Sequence, residues 1–321
     1  MKTVNRYFVT LFFLLISFHA PGSEVIPECV EGRAGPYATI ALLTKKAELS
    51  DADFYAYWRD IHGMLATRIP GFWSYRQYHL DGELTTLRRV PMDDNKSIES
   101  IQGFADVSFC SEEAIMGLVA SPQAELIKHD EQNVFASSYL YAVSPGDSQT
   151  LMTDAPLAEL AKDESGYALV MLLAKGEDET LDAFNVSLNT TLKGLPVSCP
   201  TLQRLRMNAF QPYNAAAWPA PGVNHRPSQV MHASIEFQFP DRKTALECLS
   251  HTDQFSLSAK GVQTRLQLVY VAGRRYAMVV DGRISEIGLR GLPALELIQR
   301  VGADNQRSSA VLEAVFGKAA Q

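Results

Sequence analysis

Along this chain the spacing of apolar residues switches between a helical and an extended period, and the switches mark the elements. Residues 37–46 (YATIALLTKK) form a β-rich apolar run. Ser50, with Asp53 three residues on, is an N-capping pattern that opens a helix. Phe54, Trp58, Ile61 and Leu65 then recur at helical spacing, so one stripe must pack on a sheet. Pro70-Gly71 ends that helix. Residues 72–80 alternate as a strand does, which puts Trp73, Tyr75, Gln77 and His79 on one face and Phe72, Arg76, Tyr78 and Leu80 near the other. A polar loop follows over 81–99. Residues 104–109 read as a third strand, Ser111-Glu112-Glu113 caps a second helix, and 138–143 read as a fourth strand. The order βαββαβ is the ferredoxin-like arrangement, whose helices cover one sheet face and leave the other to be buried.

The remainder repeats that order. Tyr167–Lys175 (YALVMLLAK) matches Tyr37–Lys45 (YATIALLTK) at five of nine positions, offset by 130 residues. A helix near 180–192, strands near 201–210 and 230–239, a Pro-rich loop over 213–228, a helix from Arg242 and a strand over 265–272 complete a second unit. The expected fold is therefore α+β: two tandem ferredoxin-like units packed as an intramolecular pseudo-dimeric α+β barrel. The alternative is two separate domains joined by a linker over 145–165. Mutual burial of two half-exposed sheets, at about 25 cal/mol per Å², favours the packed pair. The units are expected over 34–145 and 165–280. Residues 281–321 form a helical tail, with Leu292, Leu295 and Ile298 on one face, expected to cover a barrel edge.

The first 23 residues differ from the rest. Lys2 and Arg6 precede an apolar run over 7–18, too short for the roughly 20 residues of a spanning helix. A cleaved secretory signal is expected, hence an exported protein, periplasmic or secreted, with no stable membrane anchor. Its loss removes two cations and no acid, which moves the formal charge from -7 to -9. Such a surface disfavours nucleic acid. Export permits disulfides among Cys29, Cys110, Cys199 and Cys248; the spacings leave pairing and free thiols both open. Cys110 and Cys248 are expected at corresponding places in the two units.

Within the first unit, Phe54-x-x-Tyr57-Trp58-x-x-x-His62-Gly63, Pro70-Gly71, Tyr75, His79 and Asp130-Glu131-x-x-x-Phe135 stand in order. This resembles the EthD family pattern of a helix with an aromatic pair, a His-Gly step, a Y-x-x-x-H strand and a D-E-x-x-x-F segment, over about a third of the chain. The second unit keeps Phe184 but has no Trp or His-Gly over 185–195. The resemblance implies a dimeric α+β barrel, no obligatory metal, and a pocket between sheet and helices for small apolar or aromatic compounds. It also implies oxidoreductase-related chemistry through ether degradation, with decarboxylase-, dehydratase- and cyclase-like relatives.

His62 is the candidate catalytic residue, a general acid or base near neutral pH; capping a helix end is its structural alternative. Tyr55, Trp58, Tyr75, Gln77, His79 and Asp130 are the candidate ligand-binding residues, with core packing the competing role for the aromatic ones. Asp130 and Glu131 are suited to orient a His or accept a proton. His129 beside them suggests a metal with His62 and His79, but no histidine pair stands at i, i+4, so no metal and no cofactor is expected. GxSxG, P-loop and Rossmann signatures are absent. Two functions remain: a cofactor-independent enzyme acting on a small aromatic or apolar compound, or an exported non-catalytic binding protein for a hydrophobic small molecule. The oligomeric state is open.

Overall fold

The computed structural model describes residues 29–87, 100–153, 166–250, 262 and 264–317. The expected signal segment and its cleavage site lie outside them. The first unit runs β1 (Tyr37–Lys45), α1 (Asp51–Tyr57), a π turn (Trp58–His62), α2 (Gly63–Ala66), β2 (Phe72–Glu83), β3 (Gly103–Phe109), α3 (Glu112–Ala120), α4 (Pro122–Val134) and β4 (Phe135–Val143). Local chemistry sets these boundaries. The hydroxyls of Ser50, Ser111 and Ser121 accept the backbone N–H of Asp53, Ala114 and Ala124, which caps α1, α3 and α4.

A further strand, β5 (Ser148–Thr153), follows at once, and then the second unit: β6 (Tyr167–Lys175), α5 (Leu181–Lys193), β7 (Arg204–Ala209), β8 (Ala233–Phe239), α6 (Arg242–Ser250) and β9 (Thr264–Val280). The offset of 130 residues holds through the unit. Thr180 caps α5 as Ser50 caps α1. Lys45 and Lys175 donate to the carbonyls of Leu49 and Glu179, each at 2.6 Å. Ala41 stands opposite Ala105 as Met171 stands opposite Ile235.

The strand order is β4-β1-β3-β2-β9-β6-β8-β7-β5. The long β9 joins the halves, because its first part pairs with β6 and its continuation pairs with β2. The other seam is built by β4 and β5 in succession, interrupted at Pro145-Gly146. β4 pairs with β1 and β5 with β7, while Ala209 N donates to Asp147 O at 2.8 Å and Gln211 N to Ala142 O at 2.9 Å. The sheet thus closes into a barrel. The segment read as a linker over 145–165 begins as a strand of that closure; its short sequence SQTLMT has no clean alternation to betray it.

Inside the barrel, Ile40, Leu42, Tyr78 and Phe104 of the first unit share one core with Val170, Leu172, Leu268 and Tyr270 of the second. Each unit packs its helices on the outer sheet face as a separate core. Two disulfides are present, Cys29–Cys110 and Cys199–Cys248. Cys110 directly follows β3 whereas Cys248 lies within α6, so these two do not correspond: the repeat position of Cys110 is Pro240.

After β9 come β10 (Arg283–Ile284), α7 (Glu286–Arg290), α8 (Leu292–Arg300) and α9 (Ser309–Phe316). This tail pairs β10 with the end of β9. Beyond that strand it backs the π turn. Leu292 N donates to Asp60 Oδ1 at 2.9 Å, and Thr67 Oγ1 donates to Gly288 O at 3.3 Å. Among the described residues no helix is long and apolar enough to cross a membrane.

Candidate functional site

A cavity of about 240 Å³ lies between the outer face of the first unit's sheet and helices α1 to α4. Small side chains make it. Thr39, Ala41, Ala105 and Val107 floor the cavity, and the second unit carries Leu169, Met171, Ile235 and Phe237 at the same four repeat positions. There the bulkier chains join a filled core with Leu188 and Leu192, which replace Trp58 and His62.

The π turn sets His62 on the cavity wall. Gly63 N reaches back to Trp58 O, and Gln77 Nε2 donates to that same carbonyl at 3.0 Å. A wide turn of this kind inserts one residue and rotates the helix face, a device frequent at functional sites. Ile61, inside the expected apolar stripe, is consequently 54% exposed, while His62 is 6% exposed and faces inward. His62 is therefore not at a helix end, as the helix continues through α2. The step needs glycine next: a Cβ on Gly63 would stand 2.7 Å from Gln77 Nε2, 2.8 Å from Met278 Cε and 2.9 Å from Trp58 O. Gly63→Ala is expected to lower stability by about 1–3 kcal/mol through overpacking, read from the midpoint of denaturant unfolding; an unchanged midpoint would mean that the π turn relaxes freely.

Behind His62, its Nδ1 lies 2.9 Å from Asp130 Oδ2. Tyr57 OH donates to Asp130 Oδ1 at 2.6 Å, and Asn133 Nδ2 adds a bond at 3.3 Å. Burial pushes the Asp130 carboxyl up, but the bonds from His62 and Tyr57 outweigh it and hold the group below the usual carboxylate range. An ionised Asp130 accepts a hydrogen bond from Nδ1 of His62, whose ring lines the cavity. Glu131 also lines the cavity, and both its oxygens accept the indole N–H of Trp218 at 3.1 and 3.0 Å. Burial raises its carboxyl above the ordinary range against the opposing pull of His62 and that indole. Tyr75 completes the polar groups. Its oxygen accepts from Gln77 Nε2 at 2.7 Å and is bonded by the Trp58 indole, leaving its own proton to donate.

Of the residues singled out from sequence, His62, Trp58 and Tyr75 line the cavity, and Tyr55, Gln77, His79 and Asp130 do not. Asp130 acts from behind His62, and Gln77 is a buried strut between Trp58 O and Tyr75. His79 is on the expected strand face, but α1 covers that end of the row. Its ring is sandwiched between Tyr55 at 4.6 Å and Trp58 at 5.0 Å, with Tyr276 edge-on at 4.8 Å. Tyr55 spends its hydroxyl on Leu80 O at 2.6 Å. Trp218, from the Pro-rich loop of the second unit, was missed because a loop residue carries no periodicity. Among the described residues no group of three or more His, Cys, Asp and Glu could hold a metal ion.

Burial, reinforced by Arg59 and Arg274, pulls His79 down to about 3. The native state therefore holds this ring neutral while the unfolded chain protonates near 6.5. Stability is full above that pH and falls as the pH drops from 6.5 toward 3, by on the order of 3–5 kcal/mol from this ring. In acid titrations of unfolding free energy, His79→Phe should flatten that limb. A limb of the same depth in the variant would assign the loss to other groups.

A closed barrel of two ferredoxin-like units in one chain, with a pocket under the helices of the first, defines a pseudo-dimeric α+β barrel protein. Residues 46–139 match the family model of the EthD domain, so the first unit carries an EthD domain. Among solved structures the chain is similar to a proposed monooxygenase from Lactobacillus acidophilus NCFM, at 11% identity over 77% of this chain and 100% of that one, with a TM-score of 0.44. It is similar to an anthrone oxidase-like protein at 8% identity over 77% and 95%, TM-score 0.46. A mutant chlorite dismutase from Candidatus Nitrospira defluvii follows at 9% identity over 75% and 92%, TM-score 0.38. No curated protein sequence matches the chain.

Proposed function

We propose that this protein is an exported, cofactor-independent enzyme in which His62 acts as general base on a small, largely apolar aromatic compound held in the cavity of the first unit. The observation that carries this reading is the His62–Asp130 pair, built into the wall of an otherwise apolar cavity. The cavity favours a flat, apolar ligand. Nε2 of His62 takes a proton from a hydroxyl or an activated carbon of that ligand, and Asp130 stabilises the imidazolium that forms. Tyr75 donates to the oxygen on which negative charge develops. Cyclisation and dehydration can begin with this transfer, as can oxidation in which dioxygen takes the electrons of the deprotonated compound and is itself reduced; decarboxylation uses the reverse, delivery of a proton to carbon. Two disulfides and the apolar leader support export.

The second reading, an exported binding protein without chemistry, draws on the degenerate second unit, where Leu192 takes the place of His62. The two differ in the state of His62. Long-range proton–nitrogen NMR on protein labelled at histidine nitrogen is expected to place the proton of neutral His62 on Nδ1. A proton on Nε2 would deprive the cavity of its base and defeat the enzyme reading.

A further inference from the structure

The face of β2 opposite the cavity looks into the barrel, and there the two units bury charge. Arg76 and Arg206 occupy the same repeat position, as do Asp106 and Glu236. Arg206 pairs with Asp106 and donates to Ser148 Oγ at 2.9 Å. Glu236 accepts from Tyr78 OH at 2.6 Å and feels the charge of Arg76. Arg204 breaks the symmetry, because its counterpart in the first unit is Ser74.

Arg204 is 5% exposed. Among the described residues its Nε and Nη2 have no hydrogen-bond partner, although Nη2 forms an ion pair with Glu236 Oε2 at 3.9 Å. A guanidinium cannot shed its proton to escape burial, and leaving two of its buried N–H donors without an acceptor is costly. It lines a small cavity of about 20 Å³ together with Arg76, Tyr78, Arg275, Tyr276 and Ala277. Arg275, at its rim, donates to Gln238 Oε1 at 2.9 Å. Three arginines converge on a space that holds a single small species.

We propose that this cavity is a binding site for one halide-sized monovalent anion, held by Arg204 with Arg76 and Arg275. The volume is too small for a phosphate or an organic acid, and three guanidinium groups around one space, with two unmatched N–H donors on Arg204, favour an anion over water. The site lies where β2, β7 and the continuation of β9 face one another, so the anion ties the two units of the barrel together.

The test is thermal unfolding of the full chain in sodium chloride against sodium gluconate at equal ionic strength, together with a crystal grown in bromide. With saturating chloride the wild-type Tm is expected to rise by about 3 °C over gluconate. Arg204→Gln should lose the difference, and Arg275→Gln, which alters only the rim, should weaken it. Anomalous bromide scattering should appear among the three arginines. An equal Tm in the two salts, a full chloride response in Arg275→Gln, or bromide scattering absent from this cavity would overturn the proposal; the crystal needs no variant to fold.

Discussion

The double variant Ala41→Met, Ala105→Ile will fold and lose its ligand. These are the side chains that the second unit carries at the same repeat positions, Met171 and Ile235, and the pairs stand in matching register across β1/β3 and β6/β8. The second unit shows that the backbone accepts them when Leu192 and Leu188 stand above. In the first unit they would occupy the floor of the 240 Å³ cavity beneath His62 and Trp58. Because they enter space rather than a packed core, stability should change by no more than about 1–3 kcal/mol. Retained small molecules, measured by mass spectrometry after denaturation, should fall to background. Undiminished retention in a folded variant would mean that the ligand sits elsewhere.

The second large effect is on turnover. With a compound identified from such a release, His62→Gln should lower kcat by about 10²–10⁴, the range of a positioned general base. Asp130→Asn leaves His62 on the wall but no longer holds its proton on Nδ1, and should cost about 10–100-fold, in kcat more than in KM. Leu192→His, the reciprocal change in the second unit, should create no second activity, since Leu192 is packed among Leu169, Met171, Ile235 and Phe237. Equal rates for the wild type and His62→Gln would remove proton transfer from the account.

Much of this architecture is legible in the sequence because the signals are local. Ser50, Ser111 and Thr180 announce helices through capping, and the residue alternation assigns the faces of β2 from Tyr75 onward, but a bulge between Phe72 and Ser74 turns Phe72, expected beside Arg76 and Tyr78, to the cavity with Tyr75. The offset of 130 is plain in the first strand alone, yet it extends to buried positions whose side chains differ, such as Ala41 and Met171. What stays hidden depends on contacts distant in sequence. His79 has the right face, but only packing of Tyr55 from α1 and Trp58 from the π turn shows that it is sealed off. The stripe through Ile61 presumes a regular helix, and the π turn defeats it. Asp130 reaches His62 across 68 residues of chain, and Trp218 reaches Glu131 across 87, distances that only the folded sheet and the loop of the second unit resolve. The strand β5 is too short and too mixed to separate from a linker.

The most direct test of the account is to purify wild-type protein and His62→Ala from the native host, denature both and compare the small molecules they release. The cavity predicts that both retain a compound of the same apolar aromatic class and that the wild type carries a chemically altered form, the mass difference naming the reaction. The same compound released unchanged from both proteins would contradict catalysis by His62 and leave a binding protein.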